Sequence, residues 1–278
     1  MRGAPDAAEE PEGRRLRRDD PRGARPHRLR ALVLIHGFMD TSRTWDLVAP
    51  GLRGDYQLLT PTLPGHLGGP PLAGQVTSEL MADAVERAMD EAGLGTADFA
   101  GNSLGGFVAL QLAERGRAES VVALAPAGGW ARDDDARQGL LEFQRQMHQQ
   151  VRAIAGQADA IAATPDGRRR ATALVCERGA GLPAELVAHL IAAVAACDAE
   201  PLIDYALEGE WRLDAGHIDC PVRIVWGTAD RLLPWPSAAE RFRTEWLPHA
   251  DWVELDGVGH APQLDAPLET AQLIATAR

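Results

Sequence analysis

Six short apolar runs, at 31–35, 56–60, 97–100, 120–124, 222–226 and 252–255, are bounded by Gly or Pro and alternate with helix-length segments. Runs without a polar face belong to strands covered on both sides, the pattern of a mostly parallel sheet flanked by helices. Between the second and third runs, Val76, Leu80, Ala84, Val85, Ala88 and Met89 recur at helical spacing up to Gly93, which predicts a covering helix over 76–92. The alternation stops over 130–216, where Ala-rich helical pieces at 137–155 and 183–197 follow one another with no strand between them. The chain therefore reads as an α/β body, 27–129 and 217–278, carrying an all-helical insertion at 130–216. In that insertion Phe143, Met147 and Ile154 fall on one helical stripe, expected to pack on the body rather than on a substrate.

Residues 1–26 are rich in Arg, Asp, Glu, Pro and Gly and hold almost nothing apolar beyond Leu16, so they are expected to be a disordered tail. Arg14-Arg15 is not followed closely enough by an apolar run to be a secretory signal, and the N-terminus is expected to stay in the cytoplasm. The charge balance, 28 basic against 40 acidic residues or −12 net, leaves no basic stripe for nucleic acid. All basic residues are arginine, which excludes a Schiff-base lysine, a Walker lysine and a Ser-Lys dyad. Cys176, Cys197 and Cys220 are odd in number and widely spaced, which fits a reducing compartment rather than a disulfide framework or a CxxC motif. The longest apolar stretch, 186–197, carries His189 and is shorter than the roughly 20 residues of a membrane span. No metal-ligand repeat or phosphate-binding glycine loop occurs, so no cofactor is expected.

The chemistry concentrates at Gly101-Asn102-Ser103-Leu104-Gly105-Gly106, between the third apolar run and the helical Phe107–Ala113 stretch. G-x-S-x-G at a strand-to-helix turn holds a serine hydroxyl out from the sheet on a strained backbone, with flanking glycines giving the space. The following helix N-terminus aims N–H groups at charge developing beside the serine. Serine needs a base, and the base needs a group to fix its tautomer. Asp230 ends the turn Gly227-Thr228-Ala229-Asp230 after the fifth run, and His260 lies in Gly257-Val258-Gly259-His260 after the sixth. Each alone is also explicable, Asp230 as a turn former and His260 as a polar residue flanking a helix. His36-Gly37-Phe38 follows the first run, where the Phe38 N–H and the Leu104 N–H are expected to form a two-donor oxyanion hole. His36 is expected to hydrogen-bond its own loop rather than act as base.

These four segments, with Thr62-Leu63-Pro64-Gly65-His66 after the second run, resemble the α/β-hydrolase superfamily from about residue 30 to the C-terminus, and the order Ser, Asp, His matches. The resemblance implies a capped serine hydrolase in which 130–216 is the cap. The chain departs from most members at its start, where residues 1–26 are expected to be unable to form the first β-hairpin, leaving it missing or degenerate. It further implies that Ser103 attacks a carbonyl, His260 takes and returns the proton, Asp230 orients the imidazole, and Phe38 and Leu104 hold the oxyanion. Serine at 103, in place of an aspartate, disfavours the dehalogenase and epoxide-hydrolase branches. His36, Gly37, Asn102 and Trp130 are expected to border the substrate pocket, Trp130 at its mouth.

The leading expectation is a cytoplasmic carboxylesterase acting on a small apolar ester through an acyl-enzyme, without nucleic-acid or membrane partners. Carbon–carbon bond hydrolysis, thioester hydrolysis, acyl transfer and cofactor-free perhydrolysis use the same triad. A ligand-binding protein that keeps the fold without turnover is the rival from another class. Nothing in the sequence bears on oligomeric state.

Overall fold

The computed structural model describes residues 29–131 and 136–277. The tail and missing hairpin expected at the N-terminus lie outside the described residues. All six apolar runs are strands: β1 (Arg30–Ile35), β2 (Tyr56–Leu59), β3 (Ala97–Asn102), β4 (Ala118–Leu124), β5 (Val222–Gly227) and β6 (Asp251–Leu255). They pair in parallel in the order β2-β1-β3-β4-β5-β6.

Three helices lie among the first four strands: α1 (Ala49–Leu52), α2 (Leu80–Glu91) and α3 (Leu104–Glu114). Between β4 and β5 the described residues hold only helices, α4 (Ala136–Ile154), α5 (Ala158–Ala162), α6 (Pro165–Thr172), α7 (Ala184–Ala196) and α8 (Ala199–Glu208), with short 3-10 turns. After β6 come α9 (Pro262–Asp265) and α10 (Pro267–Ala275). Residues of β1 explain the unbroken apolar runs. Leu32 and Leu34 pack on one face with Leu52 of α1 and Ile274 of α10, whereas Val33 and Ile35 pack on the other with Met89 of α2 and Val108 of α3. Both faces of the sheet are buried, and every second position must be apolar as well as its neighbours.

Two local expectations are corrected. The helix expected from Val76 starts at Leu80, because Ser78 gives its carbonyl to Gln111 Nε2 of α3 at 3.1 Å, and Val76 turns instead into a cavity. The stripe on α4 is rotated from the one expected. Phe143 and Ile154 are 43% and 42% exposed, while Leu141 and His148 are buried and Met147 packs against the main core, as expected, beside a cavity. Helical spacing fixes which residues share a face but not which of two mixed faces points inward. The apolar stretch 186–197 is α7, whose Leu186, Val187 and Ile191 pack with Leu182 and Leu264. No single helix among the described residues is long and apolar enough to cross a membrane.

The strand order positions the site. From β1 the chain moves outward to β2, then passes back over β1 to β3, so the connections leave β1 and β3 in opposite directions. A crevice opens at such a switch point, outside the carboxyl ends of the strands. His36, Gly37 and Phe38 follow β1, and Ser103 follows β3, at this crevice.

Candidate active site

Ser103 sits between β3 and α3 at φ 55°, ψ −117°, a conformation that L residues rarely adopt. Its N–H donates to Leu124 O at 2.9 Å, and its carbonyl accepts from Phe107 N and Ala127 N, so the turn is fixed on three sides. The glycines on either side admit a helix that could not otherwise approach. A Cβ on Gly105 would lie 2.3 Å from Ile35 O and 2.5 Å from His36 O, and one on Gly101 would lie 2.1 Å from Gly105 O. Gly37 is packed less closely, since a Cβ there would meet Ser103 Cβ at 3.3 Å, a tight contact rather than an overlap. Neither the Phe38 N–H nor the Leu104 N–H has a partner among the described residues. Phe38 and Ser103 line the same two cavities, and Leu104 directly follows Ser103 at the start of α3.

Asp230 and His260 meet through backbone contact between their loops. A Cβ on Gly227 would lie 2.1 Å from Val258 O, so only glycine lets the turn after β5 reach the loop after β6. Asp230 Oδ2 lies 2.7 Å from His260 Nδ1, and its Oδ1 accepts from Leu232 N at 2.9 Å and Leu233 N at 2.7 Å. With both carboxylate oxygens occupied and both side chains buried, the imidazole is oriented with Nδ1 toward Asp230. His260 Nε2 has no hydrogen-bond partner, and His260 and Ser103 line the same cavity.

Two of the residues expected at the pocket also hold its loops in place, and one of them, Asn102, lines a cavity with Ser103. His36 is fully buried: its Nδ1 donates to Gly37 O at 2.7 Å and its Nε2 accepts from Leu63 N at 2.9 Å. Burial pushes its imidazole down to about 3, so it stays neutral and ties the loop after β1 to the loop after β2. It is not among the residues that line the cavities at Ser103. The Asn102 side chain is likewise consumed, its Nδ2 donating to Leu124 O at 3.1 Å and His260 O at 2.9 Å while its Oδ1 accepts from Gln263. His66 packs edge-on against His36 at 5.0 Å, with Nδ1 held by Pro64 O.

Two cavities, about 110 Å³ and about 150 Å³, meet at Ser103, Phe38, Gln144 and Leu232. The first is walled by Val76, Phe107, Leu140, Leu202 and Trp130, with Trp130 edge-on to Trp211 at 5.7 Å. The second holds Gly37, Asp40 and His260 below Met147, Val187, Leu190 and Ile191 of the insertion. A wider open groove of about 1060 Å³ shares Trp130, Tyr205 and Trp211 with the first cavity and does not reach the serine. Trp211, Leu202 and Asp40 escaped the sequence reading, because apolar and acidic residues outside a motif carry no sign of which cavity they enter.

Asp40 has a consequence for stability. Burial pushes its carboxyl up to about 6, against hydrogen bonds from Thr41 and Thr44 that pull it down. The unfolded chain releases this proton at lower pH than the folded one, so stability falls as pH rises from about 4 to about 6 and stays reduced above. Asp40→Asn is expected to raise stability at pH 7.5 by about 1–3 kcal/mol and to change it little at pH 4. Thermal melts at the two pH values check this; an equal shift at both would contradict it.

The alpha/beta hydrolase family model matches residues 32–273. The chain is 35% identical over 213 residues to a Mycobacterium tuberculosis protein named epoxide hydrolase EphH, covering 72% of this chain and 94% of that one. It is 30% identical over 272 residues to a pimeloyl-[acyl-carrier protein] methyl ester esterase of Aromatoleum aromaticum, covering 87% and 96%. Among solved structures, a membrane phospholipase A that is a bacterial virulence factor superposes with a TM-score of 0.68 at 25% identity, over 90% of this chain and 80% of that one. On the fold, the family match and these relatives, the chain belongs to the alpha/beta hydrolase family.

Proposed function

We propose that the protein is a serine carboxylesterase of apolar esters, working in the cytoplasm without a cofactor, with 130–216 as a cap over the serine. The observation that carries the reading is the ordered set around Ser103: a strained serine, two open N–H donors beside it, and a buried histidine held by Asp230 with Nε2 free. Ser103 Oγ bonds to the ester carbonyl carbon as its proton passes to His260 Nε2. The carbonyl π pair moves onto oxygen, where Phe38 N–H and Leu104 N–H stabilise the charge. Collapse expels the alcohol, which takes the proton from His260, and leaves an acyl-enzyme. Water then attacks that ester by the same proton path and frees Ser103.

The two cavities orient the substrate. His260 must protonate the leaving oxygen, so the alcohol part lies in the cavity that His260 lines, and the acyl part lies beside Phe107 and Leu202. Leu202→Phe is therefore expected to lower kcat/KM for a medium-chain acyl ester about tenfold more than for an acetate, while Leu190→Phe discriminates by alcohol size. A substrate series varying one part at a time reads this out; loss of both preferences together in either variant would contradict the orientation.

The relative named epoxide hydrolase favours a second reading, epoxide opening. Chemistry weighs against it: serine attack on an epoxide carbon gives an alkyl ether, which has no carbonyl for water to attack, so the enzyme would stall after one event. Diol release from an epoxide, with ester turnover absent, would replace the esterase reading.

A further inference from the structure

Asp265, at the end of α9, is 4% exposed and lines neither cavity beside the serine. Its carboxylate accepts four hydrogen bonds from two separate parts of the chain. Oδ1 takes the Cys176 S–H at 2.9 Å and the Arg178 N–H at 2.7 Å; Oδ2 takes the Glu177 N–H at 2.9 Å and the Gly259 N–H at 2.7 Å. Three donors belong to the loop between α6 and α7 of the insertion, and the fourth immediately precedes His260. On the other side of the histidine, Ala261 N–H donates to Val175 O at 2.8 Å, again in the insertion. Arg178 closes the clamp by donating from its guanidinium to Asp265 O at 2.9 Å.

Four donors are what a carboxylate this deep requires, since a buried charge without them is expensive. The thiol takes part as a donor: burial and the adjacent carboxylate push Cys176 up, well away from thiolate formation at neutral pH. The same donors therefore depend on Asp265, and without it the Gly259 N–H and the insertion loop lose their shared anchor. We infer that Asp265 is a positioning residue through which the helical insertion sets the placement of His260. The inference rests on the reading of His260 as the base. It makes the insertion more than a roof over the serine, because seating the loop around Cys176–Arg178 and placing the imidazole are one event.

Asp265→Asn preserves size and turns one acceptor oxygen into a donor that faces two N–H or S–H groups. With a short p-nitrophenyl ester, kcat is expected to fall about 10²-fold. KM should stay within about threefold, because Asp265 itself lines neither cavity and a short ester makes few contacts with the insertion. In the proton NMR spectrum the downfield signal of His260 Nδ1–H, bonded to Asp230, is expected to shift or broaden, which a purely stabilising role would not cause. Asp265→Glu, which restores both acceptor oxygens, is expected to recover part of the rate and the signal. Should Asp265→Asn not fold, Cys176→Ala removes one donor and leaves the carboxylate, and a kcat lowered about twofold to fivefold with a displaced signal supports the inference. A folded Asp265→Asn with wild-type kcat, or with reduced kcat and an unmoved Nδ1–H signal, overturns it, as does a Cys176→Ala identical to wild type where that variant decides. If the wild-type chain turns over no ester, the esterase reading fails, and the NMR comparison still decides whether Asp265 places His260.

Discussion

Ser103→Gly is expected to abolish ester turnover and to raise the melting temperature at the same time. The rate loss follows from removal of the attacking oxygen: kcat/KM is expected to fall by about 10⁴-fold or more, as it does when a triad nucleophile is deleted. The stability gain follows from the backbone. At φ 55°, ψ −117° a side-chain-bearing residue costs about 1–3 kcal/mol, whereas glycine adopts positive φ without a Cβ penalty. Glycine also gives the unfolded chain more freedom, which offsets about 0.4–1 kcal/mol. The net expectation is a gain on the order of 1 kcal/mol, a melting temperature higher by about 2–4 °C for a chain of this length. Calorimetry and a p-nitrophenyl ester assay on the same preparation test both halves. A more stable, inactive variant would mean that the fold holds the serine in strain because the hydroxyl must stand at that point. A less stable one would show that the turn is not strained in solution.

Gly105→Ala is expected to cost about 3 kcal/mol or more and to take activity with it. Its Cβ would fall inside the Ile35 and His36 carbonyl oxygens, and these are backbone atoms that no rotamer change can move. Helix α3 would have to retreat from β1, carrying the Leu104 N–H away from the Phe38 N–H, so if these two donors hold the oxyanion as proposed, stability and activity fail together. Gly139→Ala on α4, where an added Cβ meets nothing within 4 Å, is the matched control and should be neutral or stabilising by up to about 1 kcal/mol. Urea titrations of the two variants separate a general intolerance of substitution from this particular close approach.

Much of this architecture was legible in the sequence because its causes are local. Burial on both faces writes itself into β1 as Leu32-Val33-Leu34-Ile35, and the elbow glycines mark a backbone approach that no other residue permits. The start of α2 was not legible, since Ser78 is diverted by Gln111, a partner more than thirty positions away. The same holds for the inward face of α4, where Phe143 is out and Leu141 is in. Asn102 lines the cavity beside Ser103, but that its amide also reaches His260 O and Gln263 across the crevice could not be read from the sequence. Tertiary hydrogen bonds of this kind leave no periodic trace. The clamp at Asp265 is invisible for the same reason: three of its four donors lie 87 to 89 positions upstream, in the insertion.

The most direct test of the esterase reading is to treat the protein with a fluorophosphonate, locate the adduct by peptide mass spectrometry, and follow p-nitrophenyl ester release before and after labelling. One adduct is expected, on Ser103, with loss of turnover in proportion to labelling. Ester turnover that survives complete labelling of Ser103, or an adduct on another residue, would contradict it.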